Sequence, residues 1–150
     1  MPDSLESVTH AEGNREGLER LRSLVARLDE EALSRRIDNG WTVAATLAHI
    51  AFWDCWNIER WAYFQEHGKL AEMPDLVQDF VNAAALEQWS LMPQKLAAES
   101  AIASAERVIA CIDALPDAAV KVATEGGRLF MLDRRKHWYP HLEEIEQAVS

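Results

Sequence analysis

The sequence predicts an all-α fold, and three observations predict it. Apolar residues recur at helical spacing over four long stretches. Glycine and proline number only six and five, too few for a loop-rich chain. Hydrophobic residues reach 49%, and tryptophans at 41, 53, 56, 61, 89 and 138 supply large packing area for one core. A length of 150 residues suits a single domain over 1–150 with no second core. Four long patterns in that length predict an antiparallel four-helix bundle with one longer crossover.

The first helix is expected between Thr9 and Leu33, where Leu18, Leu21, Leu24, Val25 and Leu28 share a face. Gly13 and Gly17 weaken its first turns and leave its start undefined. Asp38-Asn39-Gly40 marks a turn, and Thr42 is placed to cap the second helix. That helix runs through Ala44, Leu47, Ile50 and Trp61 to a left-handed stop at Gly68, with His67 at the negative end of the helix dipole. Leu76, Val77, Phe80, Val81 and Ala84 predict a short helix after Pro74. Ser90 is the expected cap of a longer one, with Pro93 in its first turn and an apolar pattern ending at Leu115-Pro116. Val120-Lys121-Val122 and Arg128-Leu129-Phe130 flank Glu125-Gly126-Gly127, a pattern that admits a small hairpin before the last helix. The last helix is expected from about Asp133 to Val149.

Twenty-five acidic against fifteen basic residues leave a net charge of −10, which repels a phosphate backbone at long range. The densest basic cluster, Arg134-Arg135-Lys136, has no aromatic ladder beside it and reads as a solvated face, so no nucleic-acid partner is expected. Cys55 and Cys111 stand outside any CxxC pair and read as buried free thiols. Met1-Pro2-Asp3-Ser4 shows no leader pattern and no apolar run approaches membrane-spanning length, so a cytoplasmic protein with no membrane partner is expected.

Chemistry concentrates in the histidines. His137 and His141 are four apart, about 40° and roughly 6 Å on a helix, so both imidazoles leave one face. Two such nitrogens can take adjacent corners of a metal's coordination shell at about 2.0–2.1 Å. A third ligand must come from another helix, and His49 interrupts an otherwise apolar stretch, Thr46-Leu47-Ala48-His49-Ile50-Ala51-Phe52. An imidazole there is costly to bury without a partner. Spacing alone is weak evidence, because a chain with five histidines often holds an i,i+4 pair by chance. Pro140 also removes the helical bond to the Lys136 carbonyl between the two histidines.

Gly40-Trp41-Thr42-Val43-Ala44-Ala45-Thr46-Leu47-Ala48-His49-Ile50-Ala51-Phe52-Trp53 resembles the helix-opening motif of the DinB/YfiT-like metalloenzyme superfamily. His137-Trp138-Tyr139-Pro140-His141-Leu142-Glu143-Glu144-Ile145 is similar to its second signature, and the stretch around Phe80, Asn82-Ala83-Ala84 and Trp89-Ser90 is also similar. Ala45 departs from the pattern, since relatives often carry a polar residue three after the cap; this leaves the capping box incomplete. The resemblance implies an up-down-down-up four-helix bundle, commonly a homodimer. It also implies a divalent metal, zinc or nickel, held by His49, His137 and His141. Characterised members of that family include transferases of a low-molecular-weight thiol and thiol-dependent isomerases.

Three protein ligands leave positions open on a metal, as in a catalytic centre. Phe52, Trp53 and Trp56 follow His49 at i+3, i+4 and i+7 and either wall a pocket or belong to the core. Arg134 precedes His137 by three and is a candidate for binding a carboxylate, with a solvent-facing role as the alternative. Asp54 and Glu59 fall on other faces of their helix, and no general base is evident. The leading expectation is transfer of a low-molecular-weight thiol to a small electrophilic substrate. A metal-dependent hydrolase, a sequestering protein without turnover and a helical interaction protein with vestigial histidines remain open. Free histidine titrates near pH 6.5, so metal affinity is expected to fall below about pH 6.

Overall fold

Thr9, Asp29 and Thr42 each accept a hydrogen bond from the backbone N–H three residues on, at Glu12, Ala32 and Ala45. These caps open the first three helices: α1 (His10–Ala26), α2 (Glu30–Ser34) and α3 (Val43–His67). The computed structural model describes residues 9–150, so the segment Met1-Pro2-Asp3-Ser4 lies outside the described residues. Beyond α3 follow α4 (Asp75–Leu91), α5 (Gln94–Asp113), α6 (Asp117–Glu125), a 3-10 turn (Leu129–Met131) and α7 (Arg135–Val149). Among the described residues there is no strand, only an isolated bridge between Arg36 and Thr42 across the turn at Gly40. Gly40 and Gly68 have φ of +90° and +73°, as the turn and the end of α3 require.

Several expected boundaries change. The leucine pattern from Leu18 to Leu28 is not one helix, because α1 stops at Ala26 and Asp29 caps α2. The helix after Pro74 is not short: α4 runs seventeen residues. Ser90 is not a cap but lies inside α4, its hydroxyl donating to the Leu86 carbonyl at 2.8 Å. The break falls at Met92, held extended by the following Pro93, after which α5 begins at Gln94. The hairpin is replaced by α6, which Pro116 precedes and whose Ala119 and Ala123, four apart, are fully buried. Gly126 and Gly127 end that helix, Gly127 at φ +70°, while the Arg128 N–H returns to the Ala123 carbonyl at 2.8 Å.

α3 packs most extensively against α5, whose Ala97, Ala101 and Ala105 are fully buried at four-residue spacing and let the two backbones approach. α1 packs on α5 and α7, and α3 packs on α7 as well as on α4. Gly13 and Gly17, expected to weaken the first turns of α1, lie at its contact with α7. A Cβ on Gly17 would lie 2.8 Å from the Trp138 ring, and one on Gly13 would overlap the Arg135 guanidinium. Leu21, Leu47, Ile50, Trp61, Trp138, Leu142 and Ile145 are fully buried in the core so formed. No helix among the described residues is long and apolar enough to cross a membrane.

Candidate metal centre

His49 enters the site from the second turn of α3, whose entry the Thr42 cap fixes; His137 and His141 enter from α7, which stays continuous through Pro140. The segment leading into α7 is tied down by side chains. Asn57 and Trp61 of α3 both donate to the Met131 carbonyl, at 3.1 and 3.0 Å. Asn14 of α1 donates to the Leu132 carbonyl at 2.8 Å and accepts from the Arg134 N–H at 2.9 Å. With no side-chain cap of its own, α7 is positioned by Asn14.

The three imidazoles converge through one atom each. His49 Nε2 lies 3.1 Å from His141 Nε2 and 3.2 Å from His137 Nε2. Each Nε2 has one in-plane position, holding either a proton or a lone pair, so His49 Nε2 cannot satisfy both neighbours by hydrogen bonding. Nitrogens bound to one ion at 2.0–2.1 Å stand roughly 2.9 to 3.4 Å apart according to geometry. The two spacings to His49 fall in that range, the three ligand atoms all lie within 4.8 Å of one another, and the cluster is compatible with a divalent metal.

The outer nitrogens are arranged unequally. His141 Nδ1 lies 3.1 Å from Glu144 Oε1, which draws the proton to Nδ1 and leaves Nε2 its lone pair. His137 Nδ1 lies 3.4 Å from Arg134 Nη2; with Nε2 given to a cation, Nδ1 carries the proton and this contact is electrostatic only. His49 Nδ1 is enclosed without a hydrogen-bond partner. Asn82 sits near enough to favour the charged ring, but its oxygen accepts from Trp53 Nε1 at 2.8 Å. Trp41 and Trp89 meet the His49 ring edge-on at 5.1 Å each.

All three rings are held neutral, the state a metal ligand requires. Burial, aided by His141, pushes His49 down to about 3. Burial and then the charge of Arg134 take His137 well below its usual range, and burial lowers His141 against the pull of Glu144. Protons therefore compete for these nitrogens at lower pH than free histidine suggests.

The cluster opens on a cavity of about 550 Å³. Trp53 and Trp56 line it, as one reading of their offsets had it, whereas Phe52 packs against Trp89 at 5.5 Å and is absent from the lining. Arg134 is not solvent-facing. Its Nε donates to Asp54 Oδ1 and its Nη1 to the Phe130 carbonyl, both at 2.9 Å, so it borders the cavity with most of its donors already engaged. The basic cluster is likewise not a solvated face: Arg134 and Arg135 are buried, Arg135 on Asp133 at 2.7 Å, and only Lys136 is exposed. Cys55 and Cys111 are free but only half-buried.

Asp54, set aside by its offset from His49, is fully buried and also accepts from Trp138 Nε1 at 2.9 Å. Burial pushes its carboxyl up, opposed by Arg134 and Trp138. The signal for it lay in a different comparison: Ile50, Asp54, Asn57 and Trp61 follow one another at i+4, i+7 and i+11, which puts Asp54 on the core face of α3. Arg60 was also missed, although His49, Trp53, Trp56 and Arg60 form the parallel stripe that lines the cavity. His67 stays apart in the last turn of α3, its ring 4.2 Å from that of Tyr63.

No curated protein and no solved structure matches the chain. The family model of the DinB superfamily matches residues 14–145, a span that holds α3, α7 up to Ile145 and all three clustered histidines. On that match the chain belongs to the DinB superfamily.

Proposed function

We propose that this protein is a divalent-metal-dependent enzyme that transfers a low-molecular-weight thiol to a small electrophile, with His49, His137 and His141 as the metal ligands and zinc or nickel as the metal. The observation that carries the reading is the meeting of three neutral Nε2 atoms, 3.1 and 3.2 Å apart at His49, beside an open cavity. A bound divalent ion supplies Lewis acidity, which lowers the pKa of a coordinated thiol or water toward neutrality. Three uncharged ligands leave its charge uncompensated, which favours an anionic fourth partner such as a thiolate.

The chain's own residues do the rest. Glu144 fixes the tautomer and orientation of His141, and burial, aided by the charge of Arg134, keeps His137 neutral. Trp53 and Trp56 wall the cavity with apolar surface for the body of an electrophile, and Asn82 holds the Trp53 indole in place. The pairings of α1 and α3 with both α5 and α7 support the up-down-down-up four-helix bundle as the frame of the site.

Cobalt substitution tests the thiol. Thiolate ligation gives an intense near-ultraviolet charge-transfer band, and glutathione, mycothiol or bacillithiol at millimolar concentration is expected to produce it. If all three leave the cobalt spectrum unchanged, thiol transfer fails and hydrolysis or sequestration takes its place.

A further inference from the structure

Arg60 is a buried cation without an anion. It is 7% exposed, its Nη2 donates to the Ala71 carbonyl at 2.8 Å, and its Nε is enclosed with no partner. It forms no ion pair among the described residues. The carboxylate placed to neutralise it, Glu72, is bound instead by Arg128 at 3.3 Å. Its guanidinium lies over the Phe130 ring at 5.7 Å, and the carbonyl of the same Phe130 holds Arg134, so one residue sets two arginines at one cavity wall. Burying a guanidinium without a counter-charge is costly, and a folded chain tolerates it most readily where a ligand supplies the missing anion.

The cavity itself has the same bias. Arg60, Arg134 and Lys136 all line it, and no acidic residue among the described residues does, Asp54 pairing Arg134 from outside the lining. In a protein of net charge −10 that segregation concentrates positive potential where a small molecule enters. Position along α3 separates this charge from the histidines. Arg60 is eleven residues beyond His49, about 20° around the helix and roughly 16 Å along it, with Trp53 and Trp56 between them on the same stripe.

We propose that Arg60 is the anion subsite of an elongated cavity and takes a carboxylate at the far end of a ligand whose apolar middle lies on Trp53 and Trp56 and whose other end reaches the histidines. The class of molecule is a carboxylic acid with an apolar or thiol-bearing body. The inference deepens the transferase reading but binds its anion without the metal, so the two fail separately. The carboxylate comes either from the thiol or from the electrophile, and the experiment has an arm for each.

Binding is measured on metal-free protein, by quenching of tryptophan fluorescence and by calorimetry. The probes are 4-phenylbutyrate against 4-phenylbutyramide and glutathione against its diethyl ester. At least one acid is expected to bind about tenfold or more tighter than its uncharged partner, as a charge-assisted bond to a buried guanidinium implies. Arg60→Gln abolishes that preference and Arg60→Lys keeps part of it, with helical circular dichroism reporting on folding. Preference for phenylbutyrate assigns the carboxylate to the electrophile, and preference for glutathione assigns it to the thiol. Equal binding of acid and uncharged partner in both pairs by the wild-type protein overturns the subsite without recourse to any variant, as does a preference that survives in folded Arg60→Gln.

Discussion

Asp54 on α3 holds Arg134, the residue just before α7, across the helix interface, carboxylate to guanidinium at 2.9 Å, with side-chain exposures of 0% and 4%. Arg134 lines the cavity and Asp54 does not. Asp54 fixes the arginine that stands 3.4 Å from His137 Nδ1, and the same carboxylate accepts from the indole N–H of Trp138, the residue after His137, at 2.9 Å. The first prediction follows from the burial of the pair. Asp54→Asn leaves Arg134 charged and uncompensated and is expected to cost about 3–5 kcal/mol in urea unfolding. The double change Asp54→Leu with Arg134→Met should recover much of that loss. A single variant as stable as the wild type would mean the pair is open to water.

Close approach of α1 and α7 gives the second. Gly17→Ala sets a methyl group 2.8 Å from the Trp138 ring, which is fully buried and must shift to admit it. The alanine gains roughly 0.5–1 kcal/mol of helix preference, while overpacking costs about 1–3 kcal/mol. Net destabilisation is expected in thermal unfolding, and metal content should fall as α7 shifts. A stabilised Gly17→Ala would show the helices free to separate.

The third concerns pH. His49 titrates at about 3 when folded and near 6.5 when unfolded, so between these values only the unfolded chain binds the proton. Stability of the metal-free protein therefore rises with pH across that window and is lost as pH falls through it. His137 and His141, also lowered, act in the same direction, whereas the raised Asp54 opposes them. Between pH 7.5 and 5 the His49 contribution is about 2 kcal/mol. Urea midpoints in chelator should drop over that range in the wild type and by about that equivalent less in His49→Gln. An unchanged drop in the variant would remove His49 from the account.

How much of this was legible in the chain differs by element. Helix α3 could be read at both ends because its signals are local: Thr42 caps through its own side chain, and Gly68 stops through its own φ. The three histidines were legible through the motifs around them, since the i,i+4 pair shares a face whatever the rest of the fold does. The break between α4 and α5 was misplaced because Ser90 has two uses, cap or interior back-bond to the Leu86 carbonyl, and the extended Met92 before Pro93 decided between them. The hairpin was wrong for a related reason. Val120-Lys121-Val122 alternates over three residues only, while Ala119 and Ala123 gain burial by lying on one helical face.

What the sequence hid was pairing across helices. Asp54 and Arg134 are 80 residues apart, and each alone looks like a solvated surface charge. Gly13 and Gly17 looked like weak points because their cost is local and their benefit belongs to Arg135 and Trp138 on another helix. Arg60 was invisible for the same reason, since its lack of a counter-ion is a property of the assembled cavity.

The central claim is that His49, His137 and His141 hold one divalent ion together. Elemental analysis of purified, untagged protein tests it most directly, on the wild type and on His49→Ala, His137→Ala and His141→Ala, with circular dichroism confirming that each variant folds. About one zinc or nickel per chain in the wild type and a sharp loss in each of the three variants is the predicted result. Full occupancy in a folded variant would strike that histidine from the ligand set, and a wild-type protein that binds neither metal would contradict the account.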